Sequence, residues 1–325
     1  MKYNFLTVFA FLLFILNTLD SQNIRWTERK SMPKAYRNGN AIACNGKIYF
    51  MGGYCASSPE RFGKTNYEYN PDTNIWTIKA DMPTGRSNFA IATINDKIYA
   101  IGGDPFSPQN EVYNPATDSW KKLQPMLTPR QHINCAVVEG KIFVIGGLMN
   151  IQDAAAPSDW SYKNISSKNE VYDPSTDTWK EKTPMPTRRH GAYMVAVGGK
   201  IYVIGGMGGE KDMWKTLSVV EMYDPNTDSW ETKTSLPEPK DGFGISVIHD
   251  KIYAVGGFSD SNVVNTVYVY DPKLDSWSNS TAFPNLENGS AGCTAIENKI
   301  FMIGGCDKKY IANSNMIEGE ILTKK

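Results

Sequence analysis

The sequence predicts an all-β chain built from six repeats of one four-stranded unit and closed into a ring. Three observations carry that prediction. A short apolar strand ended by two glycines occurs six times: NGKIYFMGG at residues 45–53, NDKIYAIGG at 95–103, EGKIFVIGG at 139–147, GKIYVIGG at 199–206, DKIYAVGG at 250–257 and NKIFMIGG at 298–305. The glycine pairs lie 50, 44, 59, 51 and 48 residues apart, a period that marks a repeat architecture. Between them a tyrosine followed by Asp-Pro or Asn-Pro recurs five times, and a tryptophan follows each one at short range.

Residues 1–21 stand apart from the repeats. Lys2 precedes an apolar run over residues 5–16, and Ser21 offers a small residue for cleavage. That run is too short to span a bilayer, so it reads as a secretory signal peptide, with residues 22–325 as the folded unit. The expected location is secreted or periplasmic. No second long apolar run follows, so no stable membrane insertion of the remaining chain is expected.

Each unit then reads in four steps. An apolar run, such as 133–138 or 191–197, leads into a tight turn of Asn, Asp, Glu or Gly followed by Asp or Gly and Lys. The glycine-ended strand comes next and forms a hairpin with the run before it. Its unbroken apolar character suits a strand buried on both faces, and the glycines free the backbone where it ends. After a loop of variable length, a third strand closes in Tyr-Asp/Asn-Pro, which opens a turn. Trp76, Trp120, Trp179, Trp230 and Trp277 open the fourth strand, which runs into a proline-containing link such as 81–86.

The last unit has its glycine pair and a third strand at 315–321, and no tryptophan strand follows. The missing piece sits at the other terminus, at residues 24–27 around Trp26, so the N-terminal strand is expected to complete the last unit. Such units cannot bury their faces alone, whereas radial stacking about an axis does so and leaves short edges. In the glycine pair, the Tyr-Asp-Pro and the spaced tryptophan, the chain resembles the kelch repeats over about residues 24–321. The resemblance implies a six-bladed β-propeller of four-stranded kelch blades, with the ring closed by the N-terminal strand.

Composition removes several functions. The formal charge is zero, so no basic field argues for nucleic acid. No phosphate-cradling glycine loop leads from a strand into a helix, and no Gly-x-Ser-x-Gly elbow appears. Cysteine spacing offers no zinc site, and no cofactor is expected. A copper oxidase of the galactose-oxidase kind also resembles this fold, but it needs several His and Tyr ligands and a Tyr-Cys link. With only His132 and His190 available, no such ligand cluster is visible. Five cysteines leave at least one without an intramolecular disulfide partner. Cys135 and Cys293 fall where other repeats carry core residues, and Cys55 and Cys306 follow the first and last glycine pairs, where a ring would bring them into neighbouring blades as a candidate disulfide. Asn164, Asn279 and Asn288 head Asn-x-Ser/Thr triplets.

Function is expected where the copies differ. In a four-stranded meander, the turn into the first strand and the loop between the second and third lie on one face. Sixteen residues before each glycine pair stand Tyr36, Arg86, Arg130, Arg189, Lys240 and Asn288, with Arg37, His132, Arg188 and His190 close by. A basic residue in this frame resembles the usual kelch pattern. The longest loop carries Trp160 and Tyr162; the fourth blade's carries Trp214, and the first blade's carries Arg61 and Phe62. His249 falls in a hairpin turn and reads as a surface residue.

Arginines at a mouth bind carboxylate or sulfate, and histidine moves a proton near neutral pH. The reading leans toward an enzyme acting on an acidic sugar, as a lyase, dehydratase, epimerase or mutarotase. In it His132 and His190 are catalytic, and Tyr36, Arg37, Arg86, Arg130, Arg188, Arg189, Trp160 and Tyr162 bind substrate. A sialic-acid mutarotase or epimerase resembles the chain in compartment and propeller class, with no catalytic residue carried over one by one. The alternative is a non-catalytic module for an acidic peptide segment or glycan.

Overall fold

A computed structural model describes residues 23–56, 60–149, 164–209, 214–284 and 289–322. Residues 1–21, expected to be a signal peptide, the loop residues Trp160 and Tyr162, and Asn288 lie outside them. Six four-stranded antiparallel sheets form the molecule, and no α-helix occurs among the described residues. No described helix is therefore long and apolar enough to cross a membrane.

Each hairpin at the repeat's start turns on two residues. In the first blade these are Asn45 and Gly46, at φ of 51° and 70°; in the fifth, His249 and Asp250 take the same conformation, and His249 is exposed there. Two left-handed residues match the right-handed twist of the flanking strands. The glycine-ended strands, Lys47–Met51, Lys97–Ile101, Lys141–Ile145, Lys200–Ile204, Lys251–Val255 and Lys299–Ile303, are second in each sheet and buried from their second residue on. Six apolar clusters fill the spaces between neighbouring blades. One joins blades one and two through Tyr49, Met51, Phe89 and Ile98, and another joins blades six and one through Phe301, Ile303, Ile48 and Phe50. The core is thus a ring of interfaces, which is why a single blade could not stand alone.

The glycine pair has a structural task at these interfaces. The second glycine's amide donates to the next blade's carbonyl: Gly53 to Arg86 at 2.9 Å, Gly103 to Arg130 at 2.9 Å and Gly206 to Lys240 at 2.8 Å. At Gly206, with φ of 90°, a Cβ would fall 2.6 Å from the amide nitrogen of Ala192 and 2.7 Å from the carbonyl of His190. Only glycine allows that approach.

A second device locks the outer rim. In the second blade Tyr113 donates to Asp118 at 2.6 Å, and Asp118 also accepts the amide of Ala80, in the preceding blade's link, at 2.8 Å. The indole of Trp120 donates to the carbonyl of the same Ala80 at 2.9 Å. The third blade repeats this with Tyr172, Asp177, Trp179 and Gln124, and the fourth with Tyr223, Asp228, Trp230 and Thr183.

The sixth blade closes the ring. Ile24–Arg29 pairs antiparallel with Met316–Ile321, from Ile24 opposite Ile321 to Arg29 opposite Met316. Trp26 faces Gly319, where the other blades place a tyrosine opposite the tryptophan; a Cβ on Gly319 would lie 2.4 Å from the Trp26 ring. Beside it, buried Glu318 bridges Arg29 at 2.6 Å and Lys299 at 3.0 Å. All five cysteines are thiols, so the candidate Cys55–Cys306 bridge is absent. Cys135 and Cys293 pack against the interblade clusters, as their positions in the repeat implied.

Candidate functional site

Around the axis the six turns into the first strands share a backbone conformation. Asn38, Asn88, His132, Gly191, Gly242 and Ser290 stand fourteen residues before their glycine pairs, all with φ between 49° and 60°. They are stitched blade to blade. Asn88 donates its amide to the carbonyl of Asn38 at 2.9 Å, Asn38 to Ser290 at 3.0 Å, Ser290 to Gly242 at 2.7 Å and Gly191 to His132 at 2.9 Å. Glycine, asparagine and histidine all tolerate this conformation, and of the six occupants His132 alone brings a titratable side chain to the axis.

Above this ring opens a cavity of about 500 Å³ on the loop-bearing face. Every blade contributes to it: Arg37, Tyr54 and Phe62 from the first, Asp104 from the second, His132 from the third, His190 from the fourth, Asp241 and Phe258 from the fifth, and Tyr310 from the sixth. The size and the mixture of aromatic walls with a few polar groups suit a ligand site.

His132 and His190 meet there edge to face, with ring centroids 5.3 Å apart. His190 is only 4 % exposed, packs against Trp214 at 4.8 Å, and has no hydrogen-bond partner on either ring nitrogen among the described residues. Burial pushes the pKa of His132 below the usual histidine value, with Asp104 opposing the shift. Burial holds His190 well below that value, and the neighbouring His132 adds to the effect. Both rings are therefore neutral near neutral pH.

Asp104 accepts from Ser87 Oγ and from Asn88 Nδ2, each at 2.7 Å. Asp241 is half-buried, and burial raises its pKa to about 6 against a single bond from Thr216. Arg37, also half-buried, lies over the rings of Tyr54 at 4.8 Å and Tyr310 at 5.3 Å.

The structure corrects the expected arginine cluster. Arg86, Arg130 and Arg189 are fully buried inside their own blades, ion-paired with Glu111 at 2.5 Å, Glu170 at 2.9 Å and Glu221 at 2.9 Å. Arg86 and Arg130 also cap the carbonyls of Gly102 and Gly146 at 3.0 and 2.8 Å, and Lys240 caps Gly256 at 2.9 Å. These cations hold the glycine turns and do not face the mouth. Tyr36 belongs to the core beside Thr65, and exposed Arg188 does not line the cavity. Of the residues expected to bind or act, Arg37, His132 and His190 come together at the mouth. Trp160 and Tyr162 fall outside the described residues.

Sequence reasoning missed Tyr54, Asp104, Asp241, Phe258 and Tyr310. Four of these were readable from the repeat. Asp241 stands fifteen residues before its glycine pair, as do Arg37 and His190, whereas Tyr54, Asp104 and Phe258 directly follow theirs.

Comparison with known proteins agrees with the architecture. The Kelch motif model matches residues 35–83, 85–127 and 129–186, and the model for the KLHDC2/KLHL20/DRC7 Kelch-repeats domain matches residues 159–318. Kelch-like protein terF of Aspergillus terreus is 32 % identical over 279 residues, which is 83 % of this chain and 50 % of that protein. Kelch-like protein 36 of Rattus norvegicus is 28 % identical over 74 % of this chain and 39 % of its own length. Beta-scruin of Limulus polyphemus is 26 % identical over 89 % of this chain and 27 % of its own length. The chain thus spans half or less of these relatives. A solved structure titled "Structure of YjhT" superimposes with a TM-score of 0.74 at 18 % identity, covering 89 % of this chain and 95 % of that one, which shows a shared fold.

Proposed function

The chain belongs to the kelch-repeat family, and from that premise we propose that it is a binding propeller whose mouth receives a projecting segment of a protein partner. The observation that carries this is the mouth cavity, walled by side chains that differ from blade to blade on a backbone frame that does not. A rigid ring presenting variable loops is a platform for recognition. Kelch-like relatives are consistent with a protein-binding role. Export through residues 1–21 remains part of this reading, on their composition.

The preference for acidic ligands loses most of its support, because Arg37 is the one expected arginine that lines the cavity. A second reading, proton transfer on a sugar, draws on one observation: the His132–His190 pair, with His190 unpartnered among the described residues.

One experiment separates the two. Peptides selected from a displayed random library, and an array of neutral and acidic glycans, are tested against the wild type and the His190→Ala and Phe258→Ala variants. The binding reading expects selected peptides to lose affinity for both variants, by roughly tenfold or more where an anchor is removed. Peptides that ignore both changes, alongside glycan turnover that His190→Ala abolishes, would replace it with the catalytic one.

A further inference from the structure

Resting on the reading of the mouth as a peptide pocket, we propose that the group it accepts is a cation, the ammonium or guanidinium of a lysine or arginine side chain. The charged side chains lining the cavity are two carboxylates, Asp104 and Asp241, and one guanidinium, Arg37. Arg37 is already engaged, lying against the faces of Tyr54 and Tyr310. The carboxylates have only neutral donors among the described residues: Ser87 and Asn88 for Asp104, Thr216 for Asp241. A carboxylate partly removed from water gains most from a counter-ion, and among the described residues neither carboxylate has an ion-pair partner.

His190 points the same way. Its imidazole is buried at the cavity wall, neutral, and without a partner on either nitrogen among the described residues. A neutral imidazole always keeps one nitrogen as an acceptor, which an ammonium or guanidinium hydrogen satisfies. The walls add Phe62 and Phe258, rings that attract a cation, while Tyr310 already holds Arg37 against its face and stacks on Phe258. The raised pKa of Asp241 fits an acidic group waiting for positive charge. An incoming carboxylate would meet two like charges at the same mouth and one cation already in use.

The test uses three labelled heptapeptide pools, random except for a central lysine, glutamate or norleucine, with binding to the whole chain followed by fluorescence anisotropy near neutral pH and low salt. The lysine pool is expected to bind about tenfold more tightly than the other two, a difference typical of one desolvated charge contact. Asp241→Asn, which keeps the oxygen that accepts from Thr216, should bring that ratio close to one, with folding checked by its thermal midpoint. If the glutamate or norleucine pool binds as well as the lysine pool, or if Asp241→Asn keeps the lysine preference, the cation proposal is wrong while the peptide pocket stands. Binding of none of the pools would remove the peptide pocket, and this proposal with it.

Discussion

Asp241 and the two mouth histidines pull the stability of the ring in opposite directions with pH. The folded-state pKa of Asp241 is raised from 3.8 to about 6, so the folded protein binds more protons than the unfolded chain between those values. Its contribution is complete below 3.8 and is lost as pH rises through about 6. Replacing it with asparagine should therefore stabilise the protein at neutral pH, by on the order of 1–2 kcal/mol after solvent screening, and should gain nothing near pH 3.8. Thermal midpoints of the two proteins measured across this range check the sign; equal midpoints at neutral pH would contradict it. His132 and His190 have lowered folded pKa values, so their contribution is present above 6.5 and falls on acidification. Arg86 makes a different case. Removing it as Arg86→Met leaves Glu111 charged and buried, at a cost of about 3–5 kcal/mol. Peptide binding by the molecules that remain folded should be unchanged, because the guanidinium never reaches the mouth. Urea denaturation alongside anisotropy separates the two effects, and lost binding at full stability would return Arg86 to the site.

Strands and turns repeat their chemistry, and so were easy to read. The Tyr-Asp/Asn-Pro and the tryptophan announced themselves by recurrence, and the structure shows why they recur: Tyr113, Asp118 and Trp120 clamp the preceding blade's link at Ala80. Asp118→Ala should cost about 1–2 kcal/mol by removing two hydrogen bonds, read as a lowered urea midpoint. An unchanged midpoint would mean that the clamp contributes nothing. The frame cations were harder, because a sequence gives a residue's place along the chain and not its direction. Sixteen residues before the glycines, Arg86, Arg130, Arg189 and Lys240 turn into their own blades, whereas Arg37, Ser87, His190 and Asp241, one residue later in the repeat, line the cavity. Asp104 follows its glycine pair directly, and Ser87 and Asn88 stand fifteen and fourteen residues before it. Spacing gives their places but not the hydrogen bonds that join them. The closing strand was legible from an absence, the tryptophan missing after 315–321, yet Gly319 carried no visible meaning until Trp26 was seen against it. Gly319→Ala should lower the thermal midpoint, because its Cβ overlaps the indole. A variant as stable as the wild type would show that Trp26 can move aside.

On the scale of the whole molecule, stability lies in the six interfaces between blades and in the single seam where Ile24–Arg29 meets Met316–Ile321. The seam alone joins strands distant in sequence within one blade. Deleting residues 23–29 should leave Met316–Ile321 as an unpaired edge and strip the sixth blade of Arg29 and Trp26. A broadened, earlier thermal transition and concentration-dependent association are expected, since bare edges pair with other chains; a sharp, unshifted transition would mean that the seam is dispensable. The same seam has a consequence for connectivity. Leu322 donates its amide to the carbonyl of Asn23, so these two residues already sit side by side like the base of a hairpin. A linker of a few residues could join them, and new termini could be opened at an exposed hairpin such as His249-Asp250. The ring has no intrinsic first blade: a circularly permuted chain should fold to the same mouth, with an ordinary covalent turn where the present molecule relies on hydrogen bonds.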